Sequence, residues 1–424
     1  MIRREFMSWL KAGALGSVLI PRGRPRTGTP DPAGYGYALV EGGPGGRGSQ
    51  DPRIEVDLGL IGWNFNQVKR KSGVPIMAVV KANAYGHGLV ETGKHLEGCG
   101  AEALMAGKLD EALRLRESGV RCPVLNFGPF GPADAGEIVG NGITQSVSGD
   151  DISLLEESAV RVGRTAFVDI HIDTGMNRSG VPWDKAWPCV EKAARLEHVK
   201  IRGVSTAFSE DPEFDREQLR RFLELCDRAK ARGIDLGLRH AASSAALFSG
   251  SEFYLDMIRP GITLYGYYPN ARTRKDDALG LRPALRLTGR VIFINDLAAG
   301  DTISYLRAYK AARPMRVATV GIGYSDGYPS GAGGKGIVRI GEKTYPVLPL
   351  VTSNHIMIDL GSDRSVRIGD EVVLIDNRKD TGVAADALGG STGVPDYRWL
   401  ISLNPLTPRF YAPGLAPAGP ALGR

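Results

Sequence analysis

The sequence predicts an N-terminal (β/α)8 TIM barrel followed by a C-terminal, mainly β domain. From residue 74, short apolar runs alternate with amphipathic stretches of helix length. Eight such runs occur in a row: Ile76–Ala82, Ala103–Gly107, Pro123–Phe127, Ile143–Val147, Ala166–Ile172, Ile201–Thr206, Leu238–Ala241 and Met257–Arg259. Between them lie stretches such as Lys108–Ser118 and Asp215–Lys230, whose apolar residues recur at three and four, the period of a helix with one buried face. Strands alternating with helices point to a parallel sheet, and eight of them to a closed barrel. A doubly wound sheet is the competing layout, but no Gly-x-Gly-x-x-Gly fingerprint follows the first run.

After residue 285 the texture changes. Val- and Ile-rich runs (Leu287–Ile294, Met315–Ile322, Gly336–Ile340, Val366–Ile368, Glu371–Ile375) are punctuated by Gly, Asp and Asn, with little helical periodicity. Ile54–Leu58, before a first helix at Ile61–Lys71, can join this second domain or the barrel. Gly331–Gly336 lacks phosphate-loop spacing and reads as a hairpin tip. The division expected is 1–50 export signal and linker, 51–285 barrel, 286–411 β domain and 412–424 tail.

A chain of 424 residues is long for one core and suits a large barrel plus a smaller domain. Hydrophobic residues at 42% and charged residues at 24% give an ordinary globular composition. The net charge of +6 owes much to arginines before residue 50. No basic stripe with interleaved aromatics follows, which argues against a nucleic-acid partner. Arg3-Arg4-Glu5-Phe6-Met7 precedes an apolar run from Leu10 to Ile20, too short to span a bilayer. This resembles a twin-arginine export signal; a basic tail on a cytoplasmic protein is the alternative. Residues 21–50, rich in Gly, Pro and Arg, read as a linker. No membrane span is expected in the mature form.

The four cysteines form no Cys-x-x-Cys pair and the six histidines are scattered, so no metal site is expected. Cys99 and Cys122 each precede an apolar run. If those strands are parallel neighbours their starts lie about 5 Å apart, within disulfide reach, and two free thiols are the other reading.

The sharpest chemical signal is Val79-Val80-Lys81-Ala82-Asn83-Ala84-Tyr85-Gly86-His87-Gly88. Lysine is almost never buried without a partner, and the carboxyl end of a barrel strand is where chemistry sits. A desolvated lysine there can form a Schiff base with an aldehyde; a lysine extending to solvent at the barrel rim is the structural alternative.

This segment resembles the pyridoxal-phosphate (PLP) lysine motif of the alanine racemase family. Five further segments match in the family's order: 172–180 (IDTGMNRSG), 239–248 (RHAASSAALF), 257–266 (MIRPGITLYG), 303–309 (ISYLRAY) and 320–329 (VGIGYSDGYP). The resemblance spans Ile54 to Tyr411. It implies a PLP-dependent amino-acid racemase with barrel and β domain, working as a homodimer with shared active sites on a small amino-acid substrate.

By resemblance, Lys81 is the Schiff-base lysine and one catalytic base, and Tyr305 is the opposite base, reaching into the partner's site. Tyr85, Ser244, Gly261, Ile262 and Tyr397 match positions that hold the cofactor phosphate. Arg259 matches the arginine facing the pyridine nitrogen. Arg178 matches one near the substrate carboxylate, and Tyr324 lines the substrate entrance. Read without the resemblance, Tyr305 is a surface tyrosine, Ser244 and Gly261 are loop residues, and Arg259 is a strand-end ion-pair residue.

Three departures stand out. The family's Thr-His-Phe is Thr206-Ala207-Phe208, so a histidine bridging the pyridine-facing arginine and the catalytic tyrosine is missing. His171 stands where many members carry a lysine that can be carbamylated. The family's Cys-Met-Asp segment is Thr352-Ser353-Asn354, which puts Ser353 and Asn354 in the substrate pocket. Ala207 and Ser353 both remove bulk, so alanine and a broader substrate range both stay open, the latter resembling exported broad-specificity racemases. A PLP decarboxylase on this fold is disfavoured by the tyrosine segment at 303–309. A PLP-holding protein without turnover is the alternative that the lost histidine raises.

Overall fold

The computed structural model describes residues 51–149 and 151–412. The expected export signal and linker at 1–50 lie outside the described residues, as does the expected tail 412–424 except Ala412, which ends the strand Arg409–Ala412.

Seven parallel strands form the barrel wall in chain order: Met77–Val79, Ala103–Ala106, Val124–Asn126, Thr144–Val147, Ala166–Asp173, Val199–Ser205 and Leu238–His240. The eighth predicted run forms no full strand. Met257 bridges to His240 and Ile258 bridges to Ile76, both in parallel. Backbone bonds from Met77 N–H to the Ile258 carbonyl and from Val79 N–H to the Pro260 carbonyl complete the circle. The eighth stave is short because Pro260, which lacks an N–H, ends it.

The strand interiors are apolar and buried, with Ala78, Leu104, Val124, Val168, Ile170 and Val204 in one continuous core. Asp169 and His171 are exceptions on the Ala166–Asp173 strand. Two residues apart, they lie on one face of it.

Helices start where the sequence supplies caps. Asp57 accepts the Leu60 N–H and starts the helix Leu58–Ser72, which ends on Gly73 at φ 69°. Asp211 accepts the N–H groups of Glu213 and Phe214, and Pro212 takes the first helical turn. That cap is why Pro212–Ala231 begins three residues before the expected Asp215.

Arg53–Asp57 belongs to the second domain, antiparallel to the long strand Leu285–Leu297 and parallel to Arg409–Ala412. The same sheet holds Met315–Val320, Ile337–Ile340, Lys343–Pro346, Ile356–Gly361 and Glu371–Ile375. Two expectations are corrected here. Val366–Ile368 is a turn, closed where Asp370 Oδ2 accepts the Arg367 N–H. Gly331–Gly336 is no hairpin tip: a short 3-10 turn at Ser330–Ala332 leads into Ile337–Ile340, and the hairpin closes at Gly341 instead. Gly341 has φ 57°, a left-handed position that suits a tight connection, whereas Gly336 packs against the Ala332 carbonyl.

Cys99 and Cys122, both partly buried, are free thiols and are not joined. Among the described residues no group of three or more His, Cys, Asp or Glu side chains is placed to hold a metal ion. No described helix is long and apolar enough to cross a membrane.

Candidate active site

Lys81 was expected within the first strand, but that strand ends at Val79. Lys81 opens a left-handed turn: Ala82, Asn83, Ala84 and Tyr85 have φ of 54°, 56°, 53° and 51°. Each such residue costs roughly 1–2 kcal/mol for an L-amino acid, so the turn persists only where neighbours hold it. Glu111 does much of this. Its Oε1 accepts the Asn83 N–H at 2.9 Å and its Oε2 accepts the Gly107 N–H at 3.0 Å. Asn83 Oδ1 accepts the Leu89 N–H at 2.9 Å. Buried His87 places Nδ1 2.9 Å from the Tyr85 carbonyl. Lys81 itself is half-buried, its Nζ 6.0 Å from the Tyr85 ring centre and 5.9 Å from that of Tyr397.

Beside the lysine lies a cradle of small polar groups. Ser244 Oγ accepts the N–H of Gly261 at 2.9 Å and lies 3.1 Å from the Thr263 hydroxyl. Ile262 starts a 3-10 turn running to Tyr265, whose first N–H groups have no partner within the turn. A methyl group on Gly261 would lie 2.2 Å from the Tyr85 hydroxyl oxygen. Tyr85 cannot withdraw, being stacked on Tyr265 at 4.8 Å and edge-on to Tyr397 at 5.5 Å. Burial raises the Tyr85 phenol well above its usual range, so its hydroxyl stays a neutral donor. Tyr397 comes from the second domain, on the helix Asp396–Ile401, so both domains build this cradle.

Arg259 is buried, and its Nη2 donates to the carbonyls of Thr206 and Ala241. Burial lowers the guanidinium to about 10, against the pull of Asp169, and it stays charged at neutral pH. Where the family's histidine is missing at Ala207, this arginine thus rests on the preceding backbone carbonyl. Its Nε is buried with no partner among the described residues. An orphaned donor costs about 1–3 kcal/mol, and an acceptor on a bound cofactor would satisfy it.

The substrate-side residues fall into two groups. Arg178 is exposed, on a loop folded by Asp173, whose Oδ1 accepts the N–H groups of Gly175 and Asn177. In the second domain, Tyr324, Ser353 and Asn354 come together. Tyr324 N–H donates to the Thr352 carbonyl, Ser325 Oγ donates to the Ser353 carbonyl, and Asn354 Nδ2 donates to Ser325 Oγ. Tyr324 is exposed, and Tyr305 is 74% exposed on a loop between the short strands Thr302–Ile303 and Tyr309–Lys310. Among the described residues, no hydrogen bond or ring contact joins the Tyr305 side chain to the Lys81 cluster.

Sequence reading missed three parts of the site: the Glu111 clamp, the Thr263 hydroxyl, and a buried chain through the barrel. In that chain His240 Nε2 lies 2.6 Å from Asp169 Oδ2, Ser205 Oγ 2.5 Å from Asp169 Oδ1, and His171 Nδ1 3.1 Å from Ser205 Oγ. Its signal was present in the sequence, since a carboxylate and an imidazole alternate with the apolar residues Val168, Ile170 and Ile172 along one strand.

Comparison with known proteins decides what this geometry belongs to. Residues 56–269 match the family model described as "Alanine racemase, N-terminal domain", and residues 284–411 match "Alanine racemase, C-terminal domain". The chain belongs to the alanine racemase family. It is 35% identical over 367 residues to alanine racemase 2 of Caldanaerobacter subterraneus, covering 85% of this chain and 94% of that one. It is 34% identical to the alanine racemase of Carboxydothermus hydrogenoformans, covering 84% and 98% of the two chains. The crystal structure of alanine racemase from Streptomyces lavendulae superposes with a TM-score of 0.81 at 29% identity, covering 86% of this chain and 97% of that one. Alanine racemase from Bacillus anthracis, solved with bound L-Ala-P, superposes with a TM-score of 0.78 at 31% identity over 87% and 96%.

As a member of this family the chain is an isomerase that uses pyridoxal phosphate, and the reading without turnover is not favoured. The cradle fits that cofactor. Hydroxyls and backbone N–H groups at Tyr85, Ser244, Gly261 and Ile262 suit a phosphate dianion, Arg259 has an unpaired N–H, and Lys81 supplies the amine.

Proposed function

We propose that this racemase interconverts L- and D-alanine, and small or medium amino acids of similar shape, with Lys81 and Tyr305 as its two bases. The observation that carries the reading is the left-handed turn that sets the Lys81 amine beside the Tyr85–Ser244–Gly261 cradle. Pyridoxal phosphate, when bound, stabilises the carbanion formed at the substrate Cα. Lys81 would hold it covalently, with its phosphate on Tyr85, Ser244, Tyr397 and the N–H groups of Gly261 and Ile262. The Lys81 amine moves the proton on one face of Cα. Tyr305 does so on the other, and two bases on opposite faces allow removal from either enantiomer and return to the opposite side. Arg259 carries only donors, so it would face the ring nitrogen of the cofactor as a hydrogen-bond donor and leave that nitrogen unprotonated, which would make the ring a weaker electron sink and disfavour transamination. Arg178 takes the substrate carboxylate, and Tyr324, Ser353 and Asn354 line the entrance.

Tyr305 stands exposed on its own chain, which supports a homodimer in which each copy lends its tyrosine to the other. Ala207 and Ser353 support a substrate range wider than alanine. Arg3-Arg4 and the apolar run after them support export by the twin-arginine route and a role in D-amino-acid supply for the cell envelope.

The test is incubation of the PLP-loaded protein with single-enantiomer alanine, serine, lysine and arginine in heavy water. Inversion with deuterium at Cα is expected, and exchange without inversion overturns the two-base assignment. Tyr305→Phe is expected to lower racemisation by roughly 10²-fold or more with an unchanged melting temperature, and an unaltered rate removes Tyr305 from the mechanism.

A further inference from the structure

We propose that Arg409 is a positioning residue for the cofactor: its guanidinium fastens the far end of the Lys81 turn to the last segment of the β domain, and so sets where Lys81 and Tyr85 meet pyridoxal phosphate. The proposal rests on Lys81 and Tyr85 holding the cofactor, and not on which amino acid is turned over.

The backbone bonds of the turn show where it needs outside support. Its N–H groups are spent within the segment: Ala84 on the Val80 carbonyl, Gly86 on Ala82, His87 on Ala84 and Gly88 on Asn83. The carbonyls at its end must find donors elsewhere, as at the end of any helical turn. Those of Ala84 and Tyr85 have the His87 ring, with Nδ1 at 3.2 and 2.9 Å. That of Gly86 has Arg409, whose Nε donates to it at 2.8 Å across 323 residues of chain. Glu111 holds the turn from the barrel side, at Asn83. Arg409 holds its other end from the β domain.

The same guanidinium gathers the turn that precedes its own strand. Its Nη1 lies 3.2, 3.0 and 2.8 Å from the carbonyls of Asn404, Pro405 and Thr407. That turn is itself braced. Asn404 donates its backbone N–H to the Asp326 carbonyl and its Nδ2 to the Ser325 carbonyl, beside Tyr324 at the substrate entrance. Arg409 is half-buried, and among the described residues no carboxylate pairs with it. Holding a cation on carbonyls alone costs more than an apolar contact would. What it adds is direction, since the planar fork of a guanidinium fixes each carbonyl it meets. A turn that has to aim an amine at a cofactor needs that precision.

The fit between the two segments leaves no slack. A methyl group on Gly86 would lie 2.2 Å from the Leu400 carbonyl oxygen, and one on Gly88 1.9 Å from the Tyr411 hydroxyl oxygen and 3.2 Å from Arg409 Cδ. Leu400 belongs to the helix that carries Tyr397, so one stretch of the β domain sets both that tyrosine and the end of the lysine turn. The strand Arg409–Ala412 is held in turn by its parallel register on Arg53–Asp57, with Arg409 opposite Ile54. Arg409 thus acts through Gly86, the neighbour of Tyr85.

The experiment compares wild type, Arg409→Ala and Arg409→Lys as full chains titrated with PLP. Cofactor absorbance and visible circular dichroism report binding and geometry without turnover, and melting of the cofactor-free protein is recorded alongside. Arg409→Ala is expected to hold PLP at least about tenfold more weakly, the loss of one hydrogen bond from a charged donor, and with an altered dichroism. Methylguanidinium at millimolar concentration is expected to restore most of the affinity and the wild-type dichroism of Arg409→Ala, which a merely structural role would not allow. Arg409→Lys keeps the charge and loses the fork, and is expected to bind PLP at least about threefold more weakly, with no response to methylguanidinium. A loss below those limits in either variant overturns the proposal. So does a weakened Arg409→Ala protein that methylguanidinium leaves unrepaired. If Arg409→Ala does not fold, the lysine variant decides alone. A wild type that holds PLP but never inverts an amino acid overturns the racemase reading and leaves the Arg409 assignment standing.

Discussion

Glu111 carries the most informative perturbation, because one side chain holds the turn that presents the catalytic lysine. Four consecutive non-glycine residues in left-handed conformation cost roughly 4–8 kcal/mol together. Glu111 offsets this with two hydrogen bonds from backbone N–H groups, at 2.9 and 3.0 Å. Bonds to a charged acceptor contribute about 1.5–3 kcal/mol each. Glu111→Ala should therefore release about 3–6 kcal/mol of restraint, less what water restores at this half-buried position. If half of it survives screening, the turn relaxes and PLP affinity falls by at least about tenfold, since 1.4 kcal/mol is a factor of ten. Glu111→Gln keeps one acceptor and should fall between the two. The assay is equilibrium dialysis of PLP followed by absorbance, with thermal denaturation of the cofactor-free protein alongside. An alanine variant that holds PLP within twofold of wild type and melts at the same temperature would refute the clamp.

Gly261→Ala should weaken PLP by roughly ten- to a hundredfold, because its methyl group meets the wedged Tyr85 hydroxyl at 2.2 Å and overpacking costs about 1–3 kcal/mol; unchanged cofactor affinity would count against the cradle. Stability should decline with acid between pH 6.5 and 4, because His87 and His171 are each lowered to about 4, chiefly by burial. In that window the folded chain binds fewer protons than the unfolded one, so each histidine removes about 2.5 kcal/mol by pH 4.5; urea unfolding at pH 7 and 4.5 measures it, and a flat profile refutes it. Arg339→Met should lower stability by about 1–3 kcal/mol, since it removes the donor 2.6 Å from Oδ2 of Asp376, whose side chain is 2% exposed, and leaves that oxygen only the 3.6 Å contact to Arg378; a melting shift under one degree would contradict that.

The periods and punctuation of the sequence by themselves pointed to the barrel, the β domain and the strand-end Lys81, while the family resemblance marked the segments that carry Ser244, Arg259 and Tyr305. Side-chain period and local capping are near-neighbour properties, so they are written along the chain, as Asp57 before its helix and Asp211 before Pro212 show. Val366–Ile368 misled because a strand-like composition says nothing of whether a partner strand is there to pair with. Only the tertiary structure decided the left-handed turn at Lys81, since φ there is held by Glu111, 28 residues from Asn83. It also decided that Arg53–Asp57 leaves the barrel for the β sheet. It joined Asp169, Ser205 and His240 into one hydrogen-bonded chain, across separations of 36 and 71 residues. A buried polar group is stable only with its partner in place, and which residue becomes that partner is settled when distant strands meet.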